Sequence, residues 1–574
     1  MNMKTALCAA LAATLTVSCT NSNHKDYIGT TKPRHGPKEL WINNSTEPQH
    51  LDPQLATGVP DGELGRNMWA RLTQIDPKTH QPVPDLAKRW EISSDGTEYT
   101  FYLRDNLKWS DGHPLTAEDV AYGWTRILDP KVAAEYASLA YDFKNGEPFN
   151  KRALFIRGLP EQTSVEEIKK ALEGIAPIAL VKPSDDPVGF FAYPDDEKEP
   201  EKDLRAQIIV AFDGKSLLDH PVTVKITDAS MVKIDVLDPQ TVRVKLTSPL
   251  PYFLFLMEFS NFAPAPKHVI EKIIDQYGIA NMELWTRPEN VVCSDAYCLT
   301  KEVFKQYKLY EKNPHYWDKD KVRIDRIKVY SIESYNTTLV LYQTGELDWI
   351  GNSSRVPSEF ISSVKHYKDY QNNPYLSVYF YSINVDVKPL NDKRVRQALA
   401  LAVDREKLTK LAGGDTLPYA GMGPEGLAGY KGLQLPLFDP EKARTLLAEA
   451  GFPNGKGFPE IKLTFNTTEL HRTIAEAVQQ MWKSNLNLDI PLQNKEWKIY
   501  LDDMTARKYD IIRRGWVGDF PDPYTFLEIM LSDSGNNRTG WKNPDYDRLI
   551  RQGNQETDLA KRLEVLAQAE KIAM

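Results

Sequence analysis

The last third of the chain alternates short apolar strands with amphipathic helices, and this alternation constrains the fold more than any other feature. A strand at 461–466 is followed by a helix at 470–482, a strand at 488–492 and a helix at 497–504, and this series leads to a further strand before Arg513. Such alternation is typical of α/β folds. Because 574 residues are too many for one hydrophobic core, we expect two or three domains.

The strand that ends this series runs into a turn rich in glycine and proline at 515–523. The free N–H and C=O groups of such an edge can pair with another extended chain, whatever its side chains. Arg513 and Asp519 share parity, so an extended backbone directs both charges to one side. Six strand steps separate them by roughly 20 Å, or less if the chain turns at Gly518, which suits a short ligand with one cationic and one anionic end. A surface loop with ordinary ion pairs is the alternative interpretation of this run alone.

Composition and motifs exclude several classes of protein. The net charge of −8 disfavours a nucleic acid as the main partner, because binding phosphates requires clustered cations. No Ser/His/Asp set, metal-ligand cluster or phosphate-binding loop stands out, and Gly413-Gly414-Asp415 lacks the lysine of such a loop. The 12 Trp and 27 Tyr suit walls that accept varied ligands. We therefore expect no enzyme, no cofactor and no metal site.

The first residues form a targeting segment. Residues 1–19 contain an apolar run at 6–17 that is too short to span a bilayer, so we predict a cleaved signal peptide. Its end resembles a bacterial lipoprotein cleavage site, at which Cys19 would be lipidated. Thr16 matches that site poorly, and plain signal cleavage nearby stays open. Residues 20–38 are polar, contain Pro and Gly, and are predicted to be a tether.

Two further cysteines, Cys293 and Cys298, lie five positions apart. An exported protein permits a disulfide between them, and two reduced buried thiols are the alternative. A zinc site is not expected, because no third or fourth ligand lies nearby in the sequence.

Turn and cap signals define the region before residue 120. Residues 86–104 predict a hairpin around an Asp95-Gly96 turn. The run 109–114 predicts a turn followed by a helix, with Thr116 as the N-cap and Asp119 at the third helical position.

Three blocks in the same order resemble the extracytoplasmic oligopeptide-binding proteins of ABC importers. They are Leu51-Asp52-Pro53, the run 103–119 with its Trp-Ser-Asp-Gly-x-Pro-x-Thr-Ala-x-Asp pattern, and the run 395–405 with its Val-Arg-x-Ala-Leu pattern. The resemblance implies an α/β, bilobal periplasmic-binding-protein-like fold of type II with three domains.

The expected domains follow from the same resemblance. Lobe 1 (domain I) would comprise 39–70 and 267–376, domain II would comprise 71–266, and lobe 2 (domain III) would comprise 377–574. Relatives continue past the position of Met574 with strand-rich chain that returns to the first lobe, so a truncated C-terminus is expected.

The resemblance also implies roles for particular residues. Asp519 would receive the α-ammonium of a peptide, while Arg513 and His471 would lie near its carboxylate. The residues implied to line the rest of the site are Gly515, Trp516 and Val517 on one strand, Gly58 and Val59 on the other, and the pocket aromatics Tyr136 and Trp497.

Two features leave the details of this site open. Arg514 could replace Arg513 if the register slips by one residue. Where some relatives place a further Arg or Lys for longer peptides, this chain has Met504 and Gly413, so a short or differently anchored peptide is expected.

The implied function is capture of short peptides and their delivery to an ABC permease and its ATPase subunits. The protein would be exported to the periplasm or the outer face of the cytoplasmic membrane, held there by a lipid anchor, and monomeric. Binders of nickel, haem or a sugar share this fold and are the alternative, as is a signalling or adhesion lipoprotein.

Residues 150–228 interrupt the resemblance. Their βαββαβ order resembles a ferredoxin-like module of the RNA-recognition type. The aromatic set of such a module is incomplete, with Phe155 and Phe190 present but Ala192 where a ring is typical, and 185–203 is acidic. A structural α+β insertion is therefore expected, with binding of RNA or a partner as the alternative.

Overall fold

A computed structural model gives the fold and describes residues 26–30, 34–79, 81–351, 354–373, 375–413, 416–556 and 558–574. The predicted signal peptide, Cys19 and the first part of the predicted tether lie outside these residues. Within the described ranges, no helix combines the length and apolar character that a bilayer crossing requires.

The strands, in chain order, are β1 (Glu39–Asn43), β2 (Thr73–Ile75), β3 (Pro82–Pro84), β4 (Ala87–Ile92), β5 (Glu98–Leu103), β6 (Leu154–Arg157), β7 (Ile178–Asp185), β8 (Val188–Pro194), β9 (Lys215–Leu217), β10 (His220–Ile226), β11 (Ile234–Asp238), β12 (Thr241–Lys245), β13 (Tyr297–Val303), β14 (Tyr307–Lys312), β15 (Arg326–Tyr330), β16 (Ser377–Ile383), β17 (Leu463–Asn466), β18 (Leu492–Lys495) and β19 (Ile511–Val517).

The α-helices are α1 (Val59–Met68), α2 (Ala117–Leu128), α3 (Gly146–Asn150), α4 (Val165–Glu173), α5 (Leu204–Phe212), α6 (Phe253–Leu256), α7 (Lys267–Tyr277), α8 (Tyr335–Gln343), α9 (Ser358–Val364), α10 (Lys393–Leu401), α11 (Arg405–Ala412), α12 (Pro440–Glu449), α13 (Glu469–Leu486), α14 (Trp497–Thr505), α15 (Tyr524–Leu527), α16 (Pro544–Gln555) and α17 (Leu559–Ala573).

Four sheets form the framework of the described chain. Their strand orders are β1-β15-β14-β13, β11-β12-β5-β4, β7-β8-β6-β10-β9 and β16-β19-β17-β18. The predicted alternation of strands and helices is confirmed in the last of these sheets, where β17 is parallel to both β18 and β19 and α13 connects β17 to β18. Ile474, Val478 and Trp482 of α13 are buried in one core with Leu463 of β17.

The predicted hairpin and helix cap are both present. β4 and β5 pair in antiparallel fashion around Gly96, whose φ of +70° suits glycine in a tight turn. At the start of α2, Oδ2 of Asp119 accepts a hydrogen bond of 2.9 Å from the backbone N–H of Thr116, which completes a capping box.

Asp52 explains why the Leu51-Asp52-Pro53 run matters for folding. Its carboxylate is fully buried and accepts hydrogen bonds of 2.7 and 2.5 Å from the Arg126 guanidinium of α2. The indole N–H of Trp285 also donates to it, at 2.8 Å. A single side chain therefore joins three segments that are far apart in the sequence.

We expect Asp52→Asn to lower the free energy of unfolding by about 3–5 kcal/mol, because the change leaves a buried guanidinium without its counter-charge. The shift in the urea denaturation midpoint measures this loss. Asp105→Asn is the matched control, since its ion pair with Lys88 is exposed and should matter little. Equal shifts for the two variants would contradict this role for Asp52.

Two local features border the site described below. Helix α1 begins at Val59, because Pro60 fits the first turn and Asp61 accepts the Gly58 N–H. The run 375–383 is rich in apolar and aromatic residues, as in a buried central strand, but β16 lies at the edge of its sheet and is mostly half-buried. Its aromatic side chains border the cavity described below.

The insertion has the predicted βαββαβ order, with the short additional strand β9. On β8, the aromatic positions considered in the sequence, 190 and 192, are wrong by one residue, whereas Phe155 does lie on the aromatic face. Phe190 and Ala192 pack against the helices, whereas Phe191 and Tyr193 share the opposite face with Phe155, because side chains alternate along a strand. That opposite face is buried against Ala153 and Met231, so its rings are not available for stacking on RNA bases. The resemblance to RNA-recognition modules remains a prediction.

The segment after β19, which the sequence assigned to lobe 2, shares a core with helix α2. Phe526, Tyr546 and Leu566 are buried in the same core as Trp124 of α2. Arg562 of α17 forms a buried ion pair with Asp522, with hydrogen bonds of 2.7 and 2.9 Å. The helices after β19 therefore bury their apolar faces in the same core as α2, which lies in the predicted domain II.

Cys293 and Cys298 form a disulfide, with their Cα atoms 5.5 Å apart. The backbone N–H of Ser110 donates to the carbonyl of Cys293 at 2.9 Å, which attaches the turn at 109–114 to this loop.

Candidate ligand-binding site

Strand β19 has a free edge where the sequence predicted one. It pairs with β16 along its whole length but with β17 only through Ile511 and Ile512. From Arg513 to Val517, its second edge has no strand partner in the described part of the chain.

The hydrogen-bond pattern identifies the groups on this edge. The N–H of Gly518 donates to the carbonyl of Leu376 at 2.9 Å, so the next bonded pairs toward β16 involve residues 516 and 514. The N–H and C=O groups of Gly515 and Val517 therefore point to the free edge. Before them, the carbonyl of Arg513 accepts the hydroxyl of Tyr500. This arrangement can accept a further extended chain by β-augmentation.

Asp519 forms the anionic end of the edge, just past the turn at Gly518. The hydroxyl of Tyr136 donates to its Oδ1 at 3.2 Å, and that of Thr525 donates to its Oδ2 at 3.3 Å. No ion pair joins it to a cation of the described residues. Burial raises the pKa of Asp519 to about 7, against these hydroxyls and the charge of Arg66, which lower it. A half-buried carboxylate without a counter-cation is a site that a ligand cation would complete.

Glu528 lies behind Asp519 and was missed by the sequence analysis. Burial, and then the charge of Asp519, raise the pKa of Glu528 to about 8. Its Oε2 accepts the hydroxyl of Ser534 at 3.2 Å. A second carboxyl group, fully buried, therefore lies within the electrostatic influence of Asp519 at this end.

Arg513 forms the cationic end. Its guanidinium carbon lies 4.7 Å from the ring centre of Tyr379, and its Nε is buried without a hydrogen-bond partner. No carboxylate of the described residues forms an ion pair with it. Arg514 points to the other face, where its Nη1 donates to the carbonyl of Asn536 at 2.8 Å. The structure therefore favours Arg513 over the slipped register.

His471 and Arg355 accompany Arg513. His471 is 5% exposed, and burial, followed by the charges of Arg513 and Arg355, lowers its pKa well below the ordinary value. It is therefore a neutral imidazole, with Nδ1 3.4 Å from the hydroxyl of Tyr379. Arg355 was not predicted, because it lies outside the three recognised blocks. Its Nη2 donates to the carbonyl of Ala412 at 3.0 Å. Arg355 therefore brings a cation next to Gly413, the position at which some relatives are expected to have an Arg or Lys.

Gly58 and Val59 form the opposite wall, although not as a strand. Gly58 is extended and precedes α1, and Asp61 accepts its N–H at 3.3 Å. Val59 is the first residue of α1, so its N–H has no acceptor within the helix. One extended residue and one helix start thus replace the expected strand.

The two predicted tryptophans occupy different environments. Trp497 is half-buried and stacks on Tyr500 with ring centres 5.5 Å apart, and its Nε1 lacks a hydrogen-bond partner. Trp516 is 7% exposed, and its Nε1 donates to the hydroxyl of Thr525 at 3.3 Å. Since Thr525 also bonds Asp519, Trp516 supports the anionic end from behind.

A single cavity of about 2870 Å³ between the lobes contains the site. Its lining includes every binding residue selected from the sequence: Gly58, Val59, Tyr136, His471, Trp497, Arg513, Gly515, Trp516, Val517 and Asp519. Among the described residues, metal-ligating side chains gather in threes only at Asp111, His113 and His268, which do not line this cavity.

Two lobes around a cavity, with a free strand edge and unpaired charges at its ends, define a protein that binds a solute. Residues 81–538 match the family described as bacterial extracellular solute-binding proteins, family 5 (middle), and the chain belongs to this family.

Relatives of known name and structure agree with this membership. The chain is 33% identical over 542 residues to the periplasmic oligopeptide-binding protein OppA of Salmonella typhimurium, covering 92% of this chain and 84% of that protein. The crystal structure of a periplasmic oligopeptide-binding protein from Borrelia burgdorferi has a TM-score of 0.75 and 32% identity, covering 93% and 91% of the two chains. Haemophilus influenzae OppA, solved with the peptide RPPGFSPFR, has a TM-score of 0.74 and 27% identity, covering 93% and 90%. The fold is the bilobal type II fold of these proteins.

Proposed function

We propose that this protein captures short peptides with free ends and delivers them to an ABC permease. The observation that carries the proposal is the pair of half-buried charges, Asp519 and Arg513, which have no ion-pair partner among the described residues and stand at the two ends of one free strand edge. The names of the relatives, which are oligopeptide-binding proteins, support the same solute class.

In this proposal, the peptide backbone pairs with Gly515 and Val517 while its ends meet the two charges. Arg513 and Val517 are about 13 Å apart along the strand, and Asp519 lies beyond the turn. Side chains that reach inward shorten this gap, so an extended ligand of about three to five residues would contact both charges. Because main-chain pairing does not read side chains, the wide cavity would accept varied sequences.

We further propose that the lobes close about a hinge, because a ligand that contacts both lobes favours the closed state. The partners would be the permease and ATPases of an importer, with no enzymatic step. The protein would act as a monomer outside the cytoplasmic membrane, attached through a lipid at Cys19.

Other solutes are the second candidate. Nickel would need a cluster of metal-ligating side chains in the cavity. Among the described residues, no cluster of three such side chains lines it. Haem and sugars would not use two opposite charges at the ends of a strand edge, whereas a peptide with free ends does. A signalling or adhesion role based on the insertion has no observation in its favour.

The test is mass spectrometry of ligand released from freshly purified protein, followed by calorimetry with tetra-alanine and its capped forms. We expect a mixture of short peptides, and loss of affinity on N-acetylation or C-amidation. A single non-peptide solute, or equal affinity for capped and free tetra-alanine, would refute the proposal. Cleavage of the added peptide would instead indicate an enzyme.

Peptide affinity should fall as pH is lowered below 7. Asp519 is ionised above its pKa of about 7, and binding an ammonium favours that ionised form, so the attraction is present above pH 7 and is lost below it. A single group changes affinity by at most about tenfold per pH unit. Calorimetry between about pH 5.5 and 7.0 keeps most of the peptide ammonium charged. Affinity that is independent of pH in the wild type, or equally dependent in Asp519→Asn, would contradict this role.

A further inference from the structure

We propose that Asp111, His113 and His268 form a binding site for a late first-row divalent cation, such as Zn²⁺, on the outer surface of the protein. Oδ2 of Asp111 lies 2.9 Å from Nε2 of His268 and 3.1 Å from Nδ1 of His113. The two imidazole rings stack with centroids 4.3 Å apart. The three ligand atoms lie within 4.8 Å of one another.

These distances suit a metal ion with little rearrangement. Zn–N and Zn–O bonds are about 2.0–2.2 Å, so two ligands of a tetrahedral ion lie about 3.3 Å apart. Two imidazoles and one carboxylate are a ligand set that Zn²⁺ favours, with a fourth position left for water. The side chain of His113 is 62% exposed, so that position faces solvent.

The backbone holds the two halves of the cluster in place. In the turn, the N–H of Trp109 donates to the carbonyl of His113 at 2.9 Å, and Gly112 has a φ of +89°. On the other side, His268 lies in the first turn of α7, and the N–H of Ala265 donates to the carbonyl of Asp119 at 3.1 Å. Ligands fixed by the fold lose little freedom when they bind a metal.

None of the three side chains lines the peptide cavity, so the cation site is separate from the proposed transport function. A bound ion would connect the turn at 109–114 to α7 and should raise the melting temperature of the protein.

The test is calorimetric titration of the EDTA-treated full chain with ZnCl₂, together with visible spectroscopy after addition of CoCl₂. We expect a saturable site, and cobalt d–d bands typical of a nitrogen- and oxygen-ligated ion. His268→Ala and His113→Ala should each weaken Zn²⁺ binding at least about tenfold and remove the cobalt bands.

His315→Ala is the matched control. His315 is an exposed histidine close to the turn: its Nε2 lies 3.7 Å from the position that a Cβ atom on Gly112 would occupy. It does not belong to the three-residue cluster. The control should bind zinc as the wild type does. Melting curves without metal should show all three variants folded, and the more exposed His113 provides a second test if His268→Ala is unstable. No saturable zinc binding in the wild type, or wild-type binding in both His113→Ala and His268→Ala, would overturn the proposal, and so would loss of binding in His315→Ala.

Discussion

Asp519→Asn should weaken binding of a free-ended tetrapeptide by about 2–5 kcal/mol, which is about 30-fold to several thousand-fold in Kd. The carboxylate is half-buried, accepts hydrogen bonds only from the hydroxyls of Tyr136 and Thr525, and has no counter-cation among the described residues. The asparagine keeps the shape and one acceptor oxygen for these hydroxyls, but it removes the charge that the peptide ammonium meets. Calorimetry at pH 7.5 measures the loss.

Glu425→Gln is the matched control for this experiment. Glu425 is an exposed acid that lines the same cavity, so its replacement should leave affinity unchanged. N-acetylation of the peptide should weaken its binding to the wild type about as much as the Asp519→Asn substitution does. In the Asp519→Asn protein, N-acetylation should cause little further loss of affinity. Comparable affinities for the Asn variant and the wild type would show that the ammonium binds elsewhere.

Arg513→Met should reduce affinity for the free-ended peptide by about 1.5–3 kcal/mol, or about 10- to 150-fold, the range for hydrogen bonds to a charged group. Methionine replaces the aliphatic stem of arginine but lacks the guanidinium, so it can neither pair with a carboxylate nor make the cation–π contact with Tyr379. The loss should be smaller than at Asp519, because His471 and Arg355 remain nearby. The same substitution should barely change affinity for a C-amidated peptide.

Lys442→Met controls for general loss of positive charge, since Lys442 is an exposed cation in the lining of the cavity. Its affinities for free and amidated peptides should match those of the wild type. If Arg513→Met weakened free and amidated peptides equally, Arg513 would support the strand rather than bind the carboxylate.

Features determined by neighbouring residues were predictable from the sequence. The alternation after residue 461, the Asp95-Gly96 turn and the Thr116 cap depend on local backbone chemistry, and they match the structure. The free edge of β19 was also predictable, because glycine and proline after it limit further strand pairing.

Features determined by distant contacts were not predictable. Glu528 joins the anionic end only because the chain folds back behind Asp519, and no short motif contains it. Arg355 reaches the cationic end from a separate segment. The buried charge of Asp52 depends on partners more than 70 positions away.

The alternation of polar and apolar residues does not show which face of a strand is buried when both faces are covered. In the insertion, both faces of β8 are buried, one against helices and one against Met231, so polar and apolar residues do not alternate. The run at 377–383 is rich in aromatic residues because it borders a cavity. Composition does not distinguish such a strand from one in the interior of a sheet.

A crystal structure of the protein with tetra-alanine tests the central claim most directly. The account predicts that the peptide lies along β19, pairs with the main chain of Gly515 and Val517, and places its ammonium within hydrogen-bonding distance of Asp519. A peptide bound away from residues 513–519, or a strand edge covered by the protein's own chain, would contradict it.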